Sequence, residues 1–464
     1  MTKNDVLTLS VTGMTLQGAG LARAEGLLVF LPGACPGDTV RAVIVKTKGN
    51  CAFGKCLEVL EPSPARIPSA CQAFPRCGGC AFRHITYEAE LALKQREVGE
   101  ILRRIGGLTP ELRPILGAER PDRYRNKAMV PLGWDGGRVA AGFFAPHSHR
   151  IVPLPDATPP ECAGGPGRLD CRLAPVSFGG LLAAVVRWAE RRRVSVYDET
   201  AHRGLLRTVG LRSAAGAGGD ILLTLVINGE SIPQPDELTA ALRAACPTLR
   251  GVVLNSNRAR TNVLLGPLCV PLWGEETLTD VLCGLEFSVS PLSFYQVNPA
   301  QAARLYALAG DYAGLTGAER VLDLCCGTGT IGLTLARRAA EVVGIEVVPA
   351  AAADAAENAR RGGISNARFL CADAAEGMAS LAAEGFRPDV IVVDPPRKGC
   401  APALLDLMAE AAPRRIVYIS CNPATLARDL AILAKKGYAA REVTPVDMFP
   451  RTAHAECAAL LERL

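Results

Sequence analysis

The stretch VLDLCCGTGTIGL, residues 321 to 333, limits the fold more than any other: an apolar run, glycines at 327, 329 and 332, then a helical pattern. A strand that stops on glycines and turns into a helix is the opening βα unit of a parallel sheet. From about residue 291 the rhythm repeats: RVLDLCC, helix IGLTLARRAA, strand EVVGIEVV, helix AAAADAAENARRG, strand ARFLCAD, strand DVIVVDPP, helix APALLDLMAEAA, strand RIVYISC. Such alternation predicts an α/β, doubly wound, Rossmann-like sheet over 291–464. The runs YAAREVTPVDMF and AECAALLERL can add a terminal antiparallel pair.

Upstream the pattern differs. Residues 1–62 alternate short strand-like runs with glycine turns and end in the proline-rich EPSPARIP, which predicts a small OB-like β-barrel. Arg23, Arg41, Lys46, Lys48 and Lys55 suit a nucleic-acid-binding barrel, against the plainer reading of a solvated spacer. Residues 63–290 read as a central α+β region with a helix near 88–106, which can pack on the catalytic part, and arginines at 191–193, 203, 207 and 212. Those arginines are either RNA contacts or a solvated face. A length of 464 residues fits about three domains, and 49% hydrophobic composition is enough for real cores. With no run of about 18 apolar residues and no cationic leader, neither a membrane span nor a signal peptide is expected, and the cytosol is the default location. Seventeen cysteines there point to metal, cluster or catalytic roles rather than disulfides. A net charge of +5 permits a polyanionic partner without requiring one.

Several residues carry chemistry. Gly327, Gly329 and Gly332 let a ligand approach backbone, and Glu346, at the end of the next strand, can accept from both ribose hydroxyls. That much fits a nicotinamide dinucleotide or S-adenosyl-L-methionine equally. Asp323, just ahead of the loop, favours a cationic ligand bearing an amino group over a pyrophosphate. Asp394 in VVDPPRKG ends a strand before two stiffening prolines. Cys421 in YISCNPATLARDL sits at the carboxyl edge of the sheet, as a nucleophile or a small apolar filler. In CQAFPRCGGC, Cys71, Cys77 and Cys80 are spaced C-x5-C-x2-C and need a fourth ligand, for zinc or for an iron–sulfur centre. Asn298-Pro299 reads fully as a helix cap and first turn.

Together DLCCGTGTIGL, VVDPPRKG, SCNPATLARDL and TAHAEC resemble the RNA uracil-5-methyltransferase family. The likeness extends upstream to SFYQVNPAQA, the cysteine motif and the barrel, which is similar to a TRAM domain. It implies a methyltransferase using S-adenosyl-L-methionine, with Cys421 as nucleophile toward C6 of uracil, Glu456 as the base that removes the C5 proton, and Asp394 at the uracil ring. His454 would support by hydrogen bonding. The resemblance places Gln296, Cys325 (usually aromatic in the family), Glu346, Asp323, Gly327, Asp394 and, at the adenine end, Asp373 around the cofactor. It favours a [4Fe-4S] cluster on Cys71, Cys77, Cys80 and Cys162, with Cys171 as the rival fourth ligand. Relatives acting on transfer RNA typically lack barrel and cluster, so 23S ribosomal RNA is the expected substrate, acted on by a monomer. Transfer RNA methylation, a ribosome-assembly factor with a vestigial site, and a nicotinamide oxidoreductase are the alternatives.

Overall fold

A computed structural model of the chain describes residues 1–156, 169–261 and 263–464. Five strands, Val6–Met14, Ala19–Ala24, Leu27–Pro32, Thr39–Lys48 and Cys51–Glu61, close into a barrel around Leu9, Val11, Val29, Leu31, Val40 and Ile44. The strand Ala19–Ala24 escaped the sequence reading because AGLARA lacks the β-branched, aromatic composition that marks strands. Its register with Leu27–Pro32 closes the wall.

The central region builds a seven-stranded mixed sheet running from Leu268–Gly274 to Ile151–Pro153, with helices Ser177–Arg191 and Pro235–Ala245 sharing its apolar cluster. Arg207 and Arg212, read as either RNA contacts or a solvated face, are buried within it. Arg207 donates to the carbonyls of Asn257 and Ala259, at 2.9 and 3.0 Å. Arg212 donates to that of Ser293 at 2.9 Å, which pins the SFYQ loop. Arg191 and Arg192 pair with Glu237. The guanidiniums of Arg207 and Arg212 thus act within the protein.

The C-terminal sheet has eight strands in the order Ala367–Cys371, Glu341–Glu346, Arg320–Leu324, Val390–Val393, Arg415–Ser420, Glu456–Arg463, Tyr438–Val446 and Glu111–Leu112. The first five are parallel, and Glu456–Arg463 and Tyr438–Val446 form the expected antiparallel pair. The eighth is donated by the central region and lies parallel to Tyr438–Val446. Helix Tyr87–Gly106 starts where Thr86 accepts from the Ala89 N–H and stops at Gly107, whose φ of 62° only glycine adopts freely. Its Val98 and Leu102 are buried with Leu426, Ala427 and Leu430 of helix Pro423–Ala434. Burial of each is worth about 2 kcal/mol, which fixes the central region to the catalytic sheet. Among the described residues, no helix is long and apolar enough to cross a membrane.

Candidate active site

The glycine loop leaves strand Arg320–Leu324 and enters helix Thr330–Ala336 with Gly327 and Gly329 at φ of 56° and 79°. Glu346, at the end of the neighbouring strand, accepts from Gly327 N–H and Val348 N–H, both at 2.9 Å, so its carboxylate is aimed at the loop. Asp323 is fully buried; Oδ2 accepts from Gly332 N–H at 2.8 Å and Oδ1 has no partner. Burial, with Asp394 and Glu346 nearby, pushes its carboxyl up to about 7. A buried acid with an open oxygen among other carboxylates is uncompensated until a cation arrives, which suits the amino group and sulfonium of S-adenosyl-L-methionine.

Of the remaining residues expected near that ligand, Gln296 is buried and its carbonyl accepts from Asn126 Nδ2 at 3.0 Å. Cys325 adopts φ of 60° in the loop. Burial and the surrounding carboxylates push its thiol up to about 12. Asp373, at the carboxyl end of strand Ala367–Cys371, caps helix Ala374–Ala383 by accepting from Ala375 N–H at 2.9 Å. Asn298 caps helix Pro299–Ala313, as its sequence implies.

Across the sheet edge lies the second half. Cys421 follows strand Arg415–Ser420 and precedes Asn422, the cap of helix Pro423–Ala434, where a helix's positive end favours a thiolate. Asn422 also donates from Nδ2 to the Arg397 carbonyl at 3.1 Å, and Thr425 does so from its hydroxyl at 3.3 Å, which joins the DPPR turn to the cysteine turn. Burial and the charges of Glu456 and Asp394 raise the Cys421 thiol, while the Arg397 guanidinium draws it down by charge and hydrogen bond. Arg397 is the residue that sequence reasoning missed. Its position three after Asp394, in a turn stiffened by prolines, was the available signal.

Glu456, at the start of its strand, is 3% exposed. Burial and Asp394 raise its carboxyl well above the usual range, and Arg397 opposes this. Burial raises Asp394 too. His454 lies 2.9 Å through Nδ1 from Arg397 Nη2. Burial and that cation press its imidazole down to about 4, so near neutral pH it is uncharged and serves as a hydrogen-bonding neighbour of the arginine. Removing the guanidinium should therefore raise the thiol. Arg397→Ala is expected to slow alkylation of the Cys421 thiol by iodoacetamide at pH 7.5 by about tenfold, with part of the loss recovered at pH 9. An equal loss at both pH values would sink that role.

The thiols of Cys71, Cys77 and Cys80 lie with that of Cys171 in one another's electrostatic field. Arg83, itself buried, donates from Nε to Cys80 Sγ at 3.2 Å, and Gly79 N–H donates to Cys77 Sγ at 3.4 Å. Cys162 lies outside the described residues, and it is Cys171 that joins the three. Among the described residues no three such side chains stand close enough to hold a metal ion as placed. On the barrel, Arg23, Lys46, Lys48 and Lys55 are exposed, whereas Arg41 is paired to Glu58 at 2.8 Å.

Residues 285–464 match the family model tRNA (Uracil-5-)-methyltransferase, and residues 2–57 match the TRAM domain model. An uncharacterized RNA methyltransferase of Halalkalibacterium halodurans is 42% identical over 461 residues, 99% of this chain and 97% of that protein. Another, of Gloeobacter violaceus, is 41% identical over 464 residues, 99% and 97% of the two chains. The solved Pyrococcus abyssi tRNA (uracil-54, C5)-methyltransferase in complex with S-adenosyl-L-homocysteine shares the fold, with a TM-score of 0.75 at 24% identity over 98% of this chain and 100% of that one. The glycine cradle, the cysteine turn and the two acids Glu456 and Asp394 thus stand in a chain that belongs to the RNA uracil-5-methyltransferase family, with a TRAM domain ahead of its catalytic part.

Proposed function

We propose that this chain methylates C5 of a uridine in 23S ribosomal RNA through a covalent bond from Cys421 to C6. The observation that supports it is the placement of Cys421 beside Arg397 with the Glu456–Asp394 pair in the same electrostatic neighbourhood. S-adenosyl-L-methionine, when bound, supplies a methyl group activated by its sulfonium; Asp323, Glu346 and the Gly327 loop would hold it, with Gln296, Cys325, Asp394 and Asp373 around it. C5 of uracil is too weak a nucleophile by itself. Addition of the Cys421 thiolate to C6 places electron density on C5, and Arg397 keeps the thiolate accessible. Asp394, at the uracil ring, assists where negative charge develops at the carbonyl. Glu456, in its ionised form, takes the C5 proton, and loss of that proton expels the thiol. Both faces of the ring are engaged, so the uridine must leave its stack.

The exposed cations of the barrel and the cysteine loop support ribosomal RNA as substrate. The full-length fold match to an enzyme titled for transfer RNA supports the second reading, a transfer RNA substrate. Unmodified 23S RNA and transfer RNA, each tritiated at uracil C5, separate the two when incubated with protein and S-adenosyl-L-methionine. Tritium release from the ribosomal RNA alone is expected. Release from neither would overturn the methyltransferase reading.

The thiols of Cys71, Cys77, Cys80 and Cys171 share an electrostatic neighbourhood with the buried Arg83 guanidinium, a donor set of the type a thiolate-bound centre takes. We assign Cys71, Cys77, Cys80 and Cys171 as ligands of a [4Fe-4S] cluster. Protein purified anaerobically should be brown with about four irons per chain. Cys171→Ser should lose colour and Cys162→Ser should keep it; the reverse pattern would restore Cys162 as the ligand.

A further inference from the structure

Arg451 lies five residues before Glu456, in the loop between the last two strands, and its backbone is left-handed at φ of 67°. A side chain in that region is held there by its surroundings. Here they are residues 81 to 90, just past the cysteine loop. Arg451 N–H donates to Glu90 Oε1 at 2.7 Å, and its carbonyl accepts from Ala81 N–H and Phe82 N–H at 2.8 and 3.3 Å. Its Nη1 donates to the Ile85 carbonyl at 3.1 Å, and the guanidinium lies 5.4 Å from the centre of the Tyr87 ring.

Behind this contact is a closed set of charges. Lys94, Glu90 and Asp447 have no exposed side-chain surface, and Lys94 Nζ reaches Glu90 Oε1 at 2.8 Å and Asp447 Oδ1 at 2.7 Å. The Tyr87 hydroxyl donates to Asp447 Oδ2 at 2.6 Å, Lys94 also donates to the Phe449 carbonyl at 3.3 Å, and the Tyr124 hydroxyl donates to that of Pro450 at 3.1 Å. Apolar residues would stabilise such an interior at least as well; what buried ion pairs add is a single defined geometry. The loop so fixed, 447 to 455, leads into His454 and Glu456.

We infer that segment 81–94 is a clamp on this loop, and that Glu90 and Arg451 are positioning residues for the proton-removing half of the reaction. The inference rests on the uridine chemistry proposed above. In that half the C5–H bond breaks and its proton passes to the Glu456 carboxylate. Its electron pair becomes the C5=C6 double bond, and the C6–S bond breaks with its pair on Cys421. A loosened loop moves the base from the proton, while Cys421 and the DPPR turn, on other strands, stay joined through Asn422 and Thr425 and lose at most the contact from His454 to Arg397. The first half is spared and the second slows.

Quenched-flow reactions with C5-tritiated RNA and methyl-labelled S-adenosyl-L-methionine read both halves, as methyl in the protein–RNA adduct and as released tritium. Glu90→Ala, which leaves Lys94 paired to Asp447, is expected to slow tritium release about tenfold, to keep methyl transfer into the adduct within about twofold, and so to accumulate methylated adduct. Glu90→Gln keeps an acceptor for Arg451 N–H and should restore release. Should Glu90→Ala fail to fold by thermal melting, Arg451→Gly suits the left-handed backbone, removes only the guanidinium contacts, and is expected to slow release about threefold with methyl transfer kept. A folded variant in which both readouts fall by one factor, or neither changes, overturns the clamp. Absence of adduct in the unaltered enzyme would instead overturn the uridine chemistry itself.

Discussion

Cys421→Ala protein should release no measurable tritium from C5-labelled RNA and form no denaturant-stable complex with it, a loss of at least about 10⁴-fold. The size follows from its task. Without a bond at C6 the ring offers almost no density at C5, so the methyl group has no acceptor, whatever the remaining residues contribute. Alanine fits the site, since it is smaller than cysteine and Cys421 is only half-buried. The variant should therefore fold, melt normally and still bind RNA, which separates lost chemistry from lost structure. Release that survives the substitution would remove Cys421 from the mechanism.

Glu456→Gln should behave in the opposite way. Capture and methyl transfer proceed, the C5 proton has no acceptor, and methylated RNA stays bonded to the protein, with turnover down about 10³-fold. A gel under denaturing conditions would show the trapped complex, and its absence with normal turnover would reassign the base. The unaltered enzyme should show a matching pH dependence. Glu456 is raised by burial and Asp394, and Cys421 by burial and both acids, and each acts only when deprotonated. Activity must therefore climb as pH rises through the neutral range and beyond. A carboxylate or thiol with a depressed value would already be saturated there.

The glycine loop and the cysteine turn were legible because their signals are local. Glycines 327 and 329 needed positive φ, Asp323 preceded them, and Cys421 ended a strand before an Asn-Pro cap. Features that depend on distant contacts were not. Arg397 acquires its role only when Asn422 and Thr425 grip its carbonyl from another turn. Arg207 and Arg212 looked like surface cations because a sequence does not show that carbonyls of residues 257, 259 and 293 wait to receive them. Strand Glu111–Leu112 is too short to leave a pattern, and helix Ala374–Ala383, rich in alanine with a glycine inside, lacks a clear apolar stripe.

That two-residue strand has a consequence for how the molecule is put together. By lying along Tyr438–Val446 it occupies the last unpaired flank on that side of the catalytic sheet. A fragment beginning at residue 285 would carry the whole reactive constellation yet bare a ribbon of free amide and carbonyl groups, inviting copies to stack strand against strand. Solubility of the catalytic half thus leans on the segment before it.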